Sequence, residues 1–279
     1  MINIIIVCSG ENVECLGHEI HITRCIIIDM LLKGYIKSND IIVTKKDRKF
    51  LYTLLFNNVI DINDFKNIEL NDTYNIINLN EYTIDAATGN TTNYKNFIFN
   101  KKYYTEEFKN NLLNIEYIDT KYDDNYNNDY VLIHHRYTDN IDNLKKICYK
   151  IHNVYGPDTN IIIFNNNINN LSTISNKNII LIDNLQIYAS YLNGYNSKYK
   201  CKLFITEWSG GGQLSQYCYS GNSLYYFNIY YAAIDYINML DNIKENSMNQ
   251  TYFDWWDFKN PSNSNFKIFI NLDELLNNI

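Results

Sequence analysis

Three of the chain's ten glycines stand together, Gly210, Gly211 and Gly212, inside the stretch "LFITEWSGGGQLSQY" from Leu203 to Tyr217. An apolar run ending at Thr206 reads as a strand, and a helix is expected from about Gln213. Glycine serves where backbone turns sharply or approaches something closely, because it carries no side chain to obstruct either. With Ser209 ahead of them, these residues form a hollow of backbone N–H groups at the positive end of a helix, which suits a phosphate. A tight strand-to-helix turn with close packing and no ligand uses glycine in the same way.

Two other stretches carry side chains fit for chemistry. In "VLIHHRYTDN", Val131 to Asn140, an apolar alternation leads to His134, expected to point inward. Arg136 stands just past the strand, where a guanidinium forks onto a phosphate, and Asp139 reads as the N-cap of the next helix. The plainer alternative gives Arg136 a surface ion pair and His134 a core hydrogen bond. In "CSGENVECLGHEIHITRCIIIDML", Cys8 to Leu32, the residues His18, Glu19 and His21 open a helix after the first strand. Any of the three could take a proton from a hydroxyl brought within ~3 Å. His18 and His21, at i and i+3, have Cys8, Cys15 and Cys25 nearby in sequence, but the spacing is not HExxH and no second ligand pair follows, so no metal is expected. The third alternative is a solvated polar first turn.

These residues need a scaffold, and the pattern of apolar runs supplies one. The first half alternates "INIIIVC", a helix from about Gly17 to Leu32, "DIIVT", a helix around Lys46 to Phe56, and "YNIINL". A helix near Glu106 to Leu113 follows. The second half restarts with "YVLIH", a helix from about Asn140 to Tyr155, "NIIIF", "NIILI", a helix from Leu185 to Leu192, "KLFIT", the helix after Gly212, and "SLYYF". Alternation of this kind predicts an α/β fold with parallel, doubly wound sheets, whose ligands lie outside the carboxyl ends of the strands. The acidic, polar stretch "KYDDNYNND" marks a junction. The expected domains are 1–124 and 125–253, with a terminal segment over 254–279.

Composition sets the outer limits. The 279 residues carry a formal net charge of -7, against a nucleic-acid footprint, which needs clustered positive charge. Hydrophobic residues make up 46% and charged residues 20%, as in a globular protein, and Asn-rich runs such as "FNNNINN" read as loops. No stretch reaches the ~20 apolar residues of a membrane span, and "INIIIVC" lacks the basic leader and cleavage site of a signal peptide. The six cysteines include no CxxC pair, so free thiols in a reducing, cytoplasmic setting are expected. Trp255 and Trp256 in "TYFDWWDFKNP" offer faces for a sugar, or anchor the terminal segment by burial.

The motif H-x-R-x-T-D at His134, Arg136, Thr138 and Asp139, followed by α/β sequence and the Ser209 turn, resembles the donor-binding domain of GT-B-fold fucosyltransferases. The resemblance covers roughly Tyr130 to Ser220. It implies two Rossmann-like domains with a cleft between them, and a C-terminal segment crossing back to pack on the first. It also implies transfer of a sugar from a nucleoside diphosphate donor, such as a GDP-sugar, to a glycan or other hydroxyl acceptor, inverting and without a metal or resident cofactor. Arg136 would hold the donor diphosphate, Ser209, Gly210, Gly211 and Gly212 would face its phosphates, and Asp183, at the strand end before "NLQIYASYL", would lie on the donor side. The entry loop of the first half is similar to the acceptor side of such enzymes, which implies a base among His18, Glu19 and His21. Tyr137 stands where many members carry a second basic residue, and Asn165, Asn166 and Asn167 end the strand where the family often places a guanine-reading Asp.

Overall fold

The computed structural model describes residues 2–7, 16, 19–70, 73–79, 105–119, 129–135, 141–165, 171, 173–174, 177–195, 199–206, 210–221, 223–227, 265–269 and 271–279. The chain divides into two compact units, Met1–Glu116 and Tyr117–Ile279. The boundary falls ahead of the expected 124 because the intervening residues belong with the second unit. Tyr117 stacks on Tyr195 at 5.6 Å, and the Ile118 N–H donates to Ser190 Oγ at 3.0 Å.

The first unit is built on β1 (Ile2–Ile6), β2 (Ile41–Thr44), β3 (Asn58–Asp61) and β4 (Tyr74–Asn78), a parallel sheet in the order β3-β2-β1-β4. The expected alternation contains β1, β2 and β4 but not β3, whose "NVID" is too short to show a period. Pairing recruits it: Ile41 to Thr44 lie in register with Asn58 to Asp61. Asp61 then caps α2 (Ile62–Phe65), its side chain accepting from Asn63 N at 2.7 Å.

The helix expected from Gly17 starts later. A π-helical turn, Glu19–Thr23, leads into α1 (Arg24–Leu32), in which Cys25, Ile26, Ile27 and Ile28 are all buried. The helix expected around Lys46 to Phe56 is instead a 3-10 helix, Lys46–Leu51, with Arg48 turned into the interior. Helix α3 (Glu106–Leu113) forms where expected, its Thr105 side chain accepting from Phe108 N at 3.1 Å.

Arg24 is fully buried and closes the far end of α3. Its guanidinium donates to Asn111 O at 3.1 Å, to Asn114 O at 3.0 Å, to Leu112 O, and through Nε to Leu51 O at 2.9 Å. A helix leaves its last carbonyls without intrahelical donors and ends in negative potential, which stabilises a buried cation there. Replacing Arg24 by Met strands several carbonyls at once. The expected cost is about 2 kcal/mol in urea denaturation, and an unchanged midpoint would contradict this capping role.

The second unit holds β5 (Tyr130–His134), β6 (Asn160–Phe164), β7 (Ile179–Ile182), β8 (Cys201–Thr206), β9 (Ser223–Phe227) and β10 (Asn265–Phe269). They form one parallel sheet in the order β10-β9-β8-β5-β6-β7. Numbered from the first strand of the unit, this is the 3-2-1-4-5-6 order of doubly wound sheets. Every residue of β5 and β6 is buried, as expected for interior parallel strands covered on both faces. On one face Val131, Ile133, Ile161, Ile163, Leu203 and Ile205 pack with α4 (Ile141–Tyr155) and α7 (Leu272–Asn278). On the other, the Phe164 and Phe204 rings meet Tyr188 of α5 (Leu185–Asn193), and α6 (Gly210–Cys218) buries Leu214 and Tyr217.

The terminal segment differs from expectation. Its described part belongs to the second unit: β10 pairs with β9, and Leu275 of α7 sits in the core with Val131 and Ile133. An edge strand with unpaired N–H and C=O groups and a helix with the apolar series Leu272, Leu275, Leu276 and Ile279 find their partners there. Trp255 and Trp256 lie outside the described residues.

Burial raises the Cys25 and Cys148 thiols to about 12, with Arg24 partly offsetting the rise at Cys25. The folded protein therefore keeps protons that the unfolded chain releases near pH 9. Linkage makes stability fall as pH rises from about 9 towards 12. Both thiols are expected to resist a disulfide reagent at neutral pH until the protein is unfolded, and ready reaction of either in the native protein would contradict their burial.

Candidate functional site

In the second sheet the chain moves outward from β5 in two directions, through β6 and β7 on one side and through β8, β9 and β10 on the other. The reversal between β5 and β8 is the point at which doubly wound sheets open a ligand crevice beyond their carboxyl ends. Two residues terminate these strands, His134 and Thr206, and both are buried. They meet, His134 Nδ1 lying 3.0 Å from Thr206 Oγ1, although 72 residues separate them in sequence.

The His134 ring is held on three further sides. It stacks on Phe164 at 5.6 Å and 26° and faces Tyr188 at 5.9 Å, while Phe164 and Tyr188 stack on each other at 4.2 Å. The Tyr188 hydroxyl donates to Gly211 O at 3.1 Å, tying α5 to the first turn of α6. Gly211 closes the ring of contacts: a Cβ built on it would lie 2.5 Å from His134 Nε2 and 2.8 Å from Cδ2. So close an approach admits only glycine, since the imidazole is packed against the Phe164 and Tyr188 rings and bonded to Thr206, and cannot readily move aside. The neighbour that excludes a side chain at Gly211 is thus the imidazole of His134.

The first turn of any helix leaves its N–H groups without intrahelical acceptors. Here that turn begins with Gly210 at the carboxyl side of β8, and Gly212 is buried, its carbonyl accepting from Ser215 Oγ at 2.5 Å. Asn165, at the end of β6, donates through Nδ2 to His135 O at 2.6 Å and so ties the ends of β5 and β6 together. Asp183 is exposed at the end of β7, the edge strand, with β6 between it and β5, so it is not brought together with His134 and Gly211. Arg136, Thr138, Asp139 and Ser209 lie outside the described residues.

In the first unit Glu19 is corrected from candidate base to buried structural anion. It is completely buried, its Oε2 lying 2.5 Å from Arg48 Nη1. Its Oε1 accepts from Thr44 Oγ1 at 2.8 Å and from Tyr52 OH at 3.2 Å. A carboxylate with both oxygens engaged and no exposure has no route to a substrate hydroxyl. His18 lies outside the described residues; His21 falls in the π-helical turn with no described side chain.

Sequence reasoning did not single out Arg24, Arg48, Tyr188 or Thr206. Among these, only the place of Thr206 at the end of a predicted strand was a usable signal. Among the described residues no group of three or more His, Cys, Asp and Glu side chains could hold a metal ion, and no helix is long and apolar enough to cross a membrane.

Fold and site together define an α/β protein with two parallel sheets, the second doubly wound and carrying a buried histidine against a glycine-rich helix start at its switch point. Comparison with known proteins found no matching family model, curated protein or solved structure.

Proposed function

We propose that the chain is a glycosyltransferase of the two-domain GT-B kind, the second unit binding a nucleoside diphosphate sugar beyond the ends of β5 and β8. One observation carries this reading: His134 and Gly211, from two motifs far apart in sequence, touch at the strand-order reversal, where doubly wound sheets take their ligands. Arg136 and the amides from Ser209 to Gly212 would neutralise the departing diphosphate, electrostatic stabilisation that needs no metal. The acceptor, a glycan or other hydroxyl compound, would lose its proton to a group of the first unit, with His18 and His21 the remaining candidates.

Calorimetric titration with GDP, UDP, ADP and dTDP tests the donor half. One base is expected to bind saturably, and Arg136→Ala to weaken it at least about 30-fold, a loss of about 2 kcal/mol. Unaltered affinity in a folded variant would remove Arg136 from the site. A second reading has its own support. Glu19 is committed to Arg48, which is consistent with a protein that binds the nucleotide sugar without transferring it. Binding without sugar transfer to any of a panel of acceptors would select that reading.

A further inference from the structure

The carboxyl end of β2 carries a group of cations that the donor site does not use. After Thr44 the chain runs Lys45, Lys46, Asp47, Arg48, Lys49, in a protein of formal net charge -7. Strands β1 and β2 run side by side to their ends, the Val7 N–H donating to Val43 O at 2.9 Å. The order β3-β2-β1-β4 reverses between β1 and β4, so the end of β2 lies one strand from the first unit's own switch point.

Two carboxylates near the end of β2 are already committed. Glu19 takes Arg48, Thr44 and Tyr52, and Asp61 caps α2 through Asn63 N. Arg48 is thereby neutralised in the interior, while Lys45, Lys46 and Lys49 have no ion pair among the described residues. Lys46 is exposed and the other two are half-buried. In a 3-10 helix, side chains at i and i+3 eclipse, so Lys46 and Lys49 stand on one face. Asp47 offsets one charge of the three, leaving a local excess of about two positive charges, and like charges held side by side favour a bridging anion.

We propose that the end of β2 is an anion site that takes a phosphomonoester, whose second ionisation near pH 6 makes it a dianion at neutral pH and matches that excess. Identifying the bound molecule as a phosphorylated acceptor rests on the sugar-transfer reading; the anion site itself does not.

The full chain is titrated calorimetrically with glucose 6-phosphate, glucose and inorganic phosphate, alongside the double variant Lys46→Gln/Lys49→Gln. Glucose 6-phosphate is expected to bind at least about tenfold more tightly than glucose, and the double variant to lose at least about tenfold of that affinity. The variant's nucleoside diphosphate affinity is expected to remain unchanged. Equal binding of the sugar and its phosphate, no binding of either phosphate, or full affinity in a folded double variant would overturn the site. Phosphate binding through the lysines in a protein that binds no nucleoside diphosphate would leave this site standing and remove the sugar-transfer reading.

Discussion

Glu19→Ala is expected to destabilise the first unit by about 3–5 kcal/mol, because it takes a buried carboxylate partner away from the Arg48 guanidinium and leaves an empty space beside it. The pair is almost completely removed from water, with side-chain exposures of 8% for Arg48 and 0% for Glu19, so solvent cannot take over the missing interaction. Thr44 and Tyr52 lose their acceptor in the same step. Glu19→Gln keeps an oxygen for the hydroxyls and discards the charge, so it is expected to fall between wild type and Ala. Urea unfolding of the three proteins measures this order. A general base at Glu19 would give the opposite signature: a normally stable Gln variant with activity lost.

Gly211→Val is expected to cost at least about 3 kcal/mol, at the upper end of what overpacking does, because its Cβ would overlap an imidazole already fixed by Phe164, Tyr188 and Thr206. The milder Gly211→Ala gives the sharper test when combined with His134→Ala. Alone, Gly211→Ala is expected to destabilise. With the ring removed, alanine no longer meets it, and the better helix propensity of alanine over glycine should make the same change stabilising by up to about 1 kcal/mol. This inversion of sign in a double-mutant cycle would show that the two residues act on each other directly. Additive effects would place the constraint on Gly211 elsewhere.

The elements easiest to read were those whose burial leaves a mark on every residue. "YVLIH" and "NIIIF" are interior strands covered on both faces, and their unbroken apolar runs announce it. Strand β3 has only Val59 and Ile60 between polar ends, and it exists because β2 offers an edge to pair with. Strand β10 was hidden for a similar reason. Its partner is β9, and "NFKIF" follows a long polar and aromatic stretch in which nothing announces a return to the sheet.

The site divides along the same line. That His134 would point inward, and that close approach would explain the glycine run, could be read locally. The identity of the approaching group could not, because His134 and Gly211 come from different strand ends brought together by the sheet order. Glu19 shows the limit more plainly. Its neighbours in sequence, His18 and His21, suggest proton chemistry, while the residue that decides its role, Arg48, lies 29 positions away on the far side of β2.

Hydrogen exchange of the backbone amides, followed by mass spectrometry with and without the nucleoside diphosphate that binds, tests most directly whether the ligand sits at the β5 and β8 ends. Slowed exchange is expected in the peptides spanning residues 134–140 and 207–213, with the amino ends of the same strands unchanged. Protection found only elsewhere, or no nucleoside diphosphate that alters exchange anywhere, would contradict the donor site.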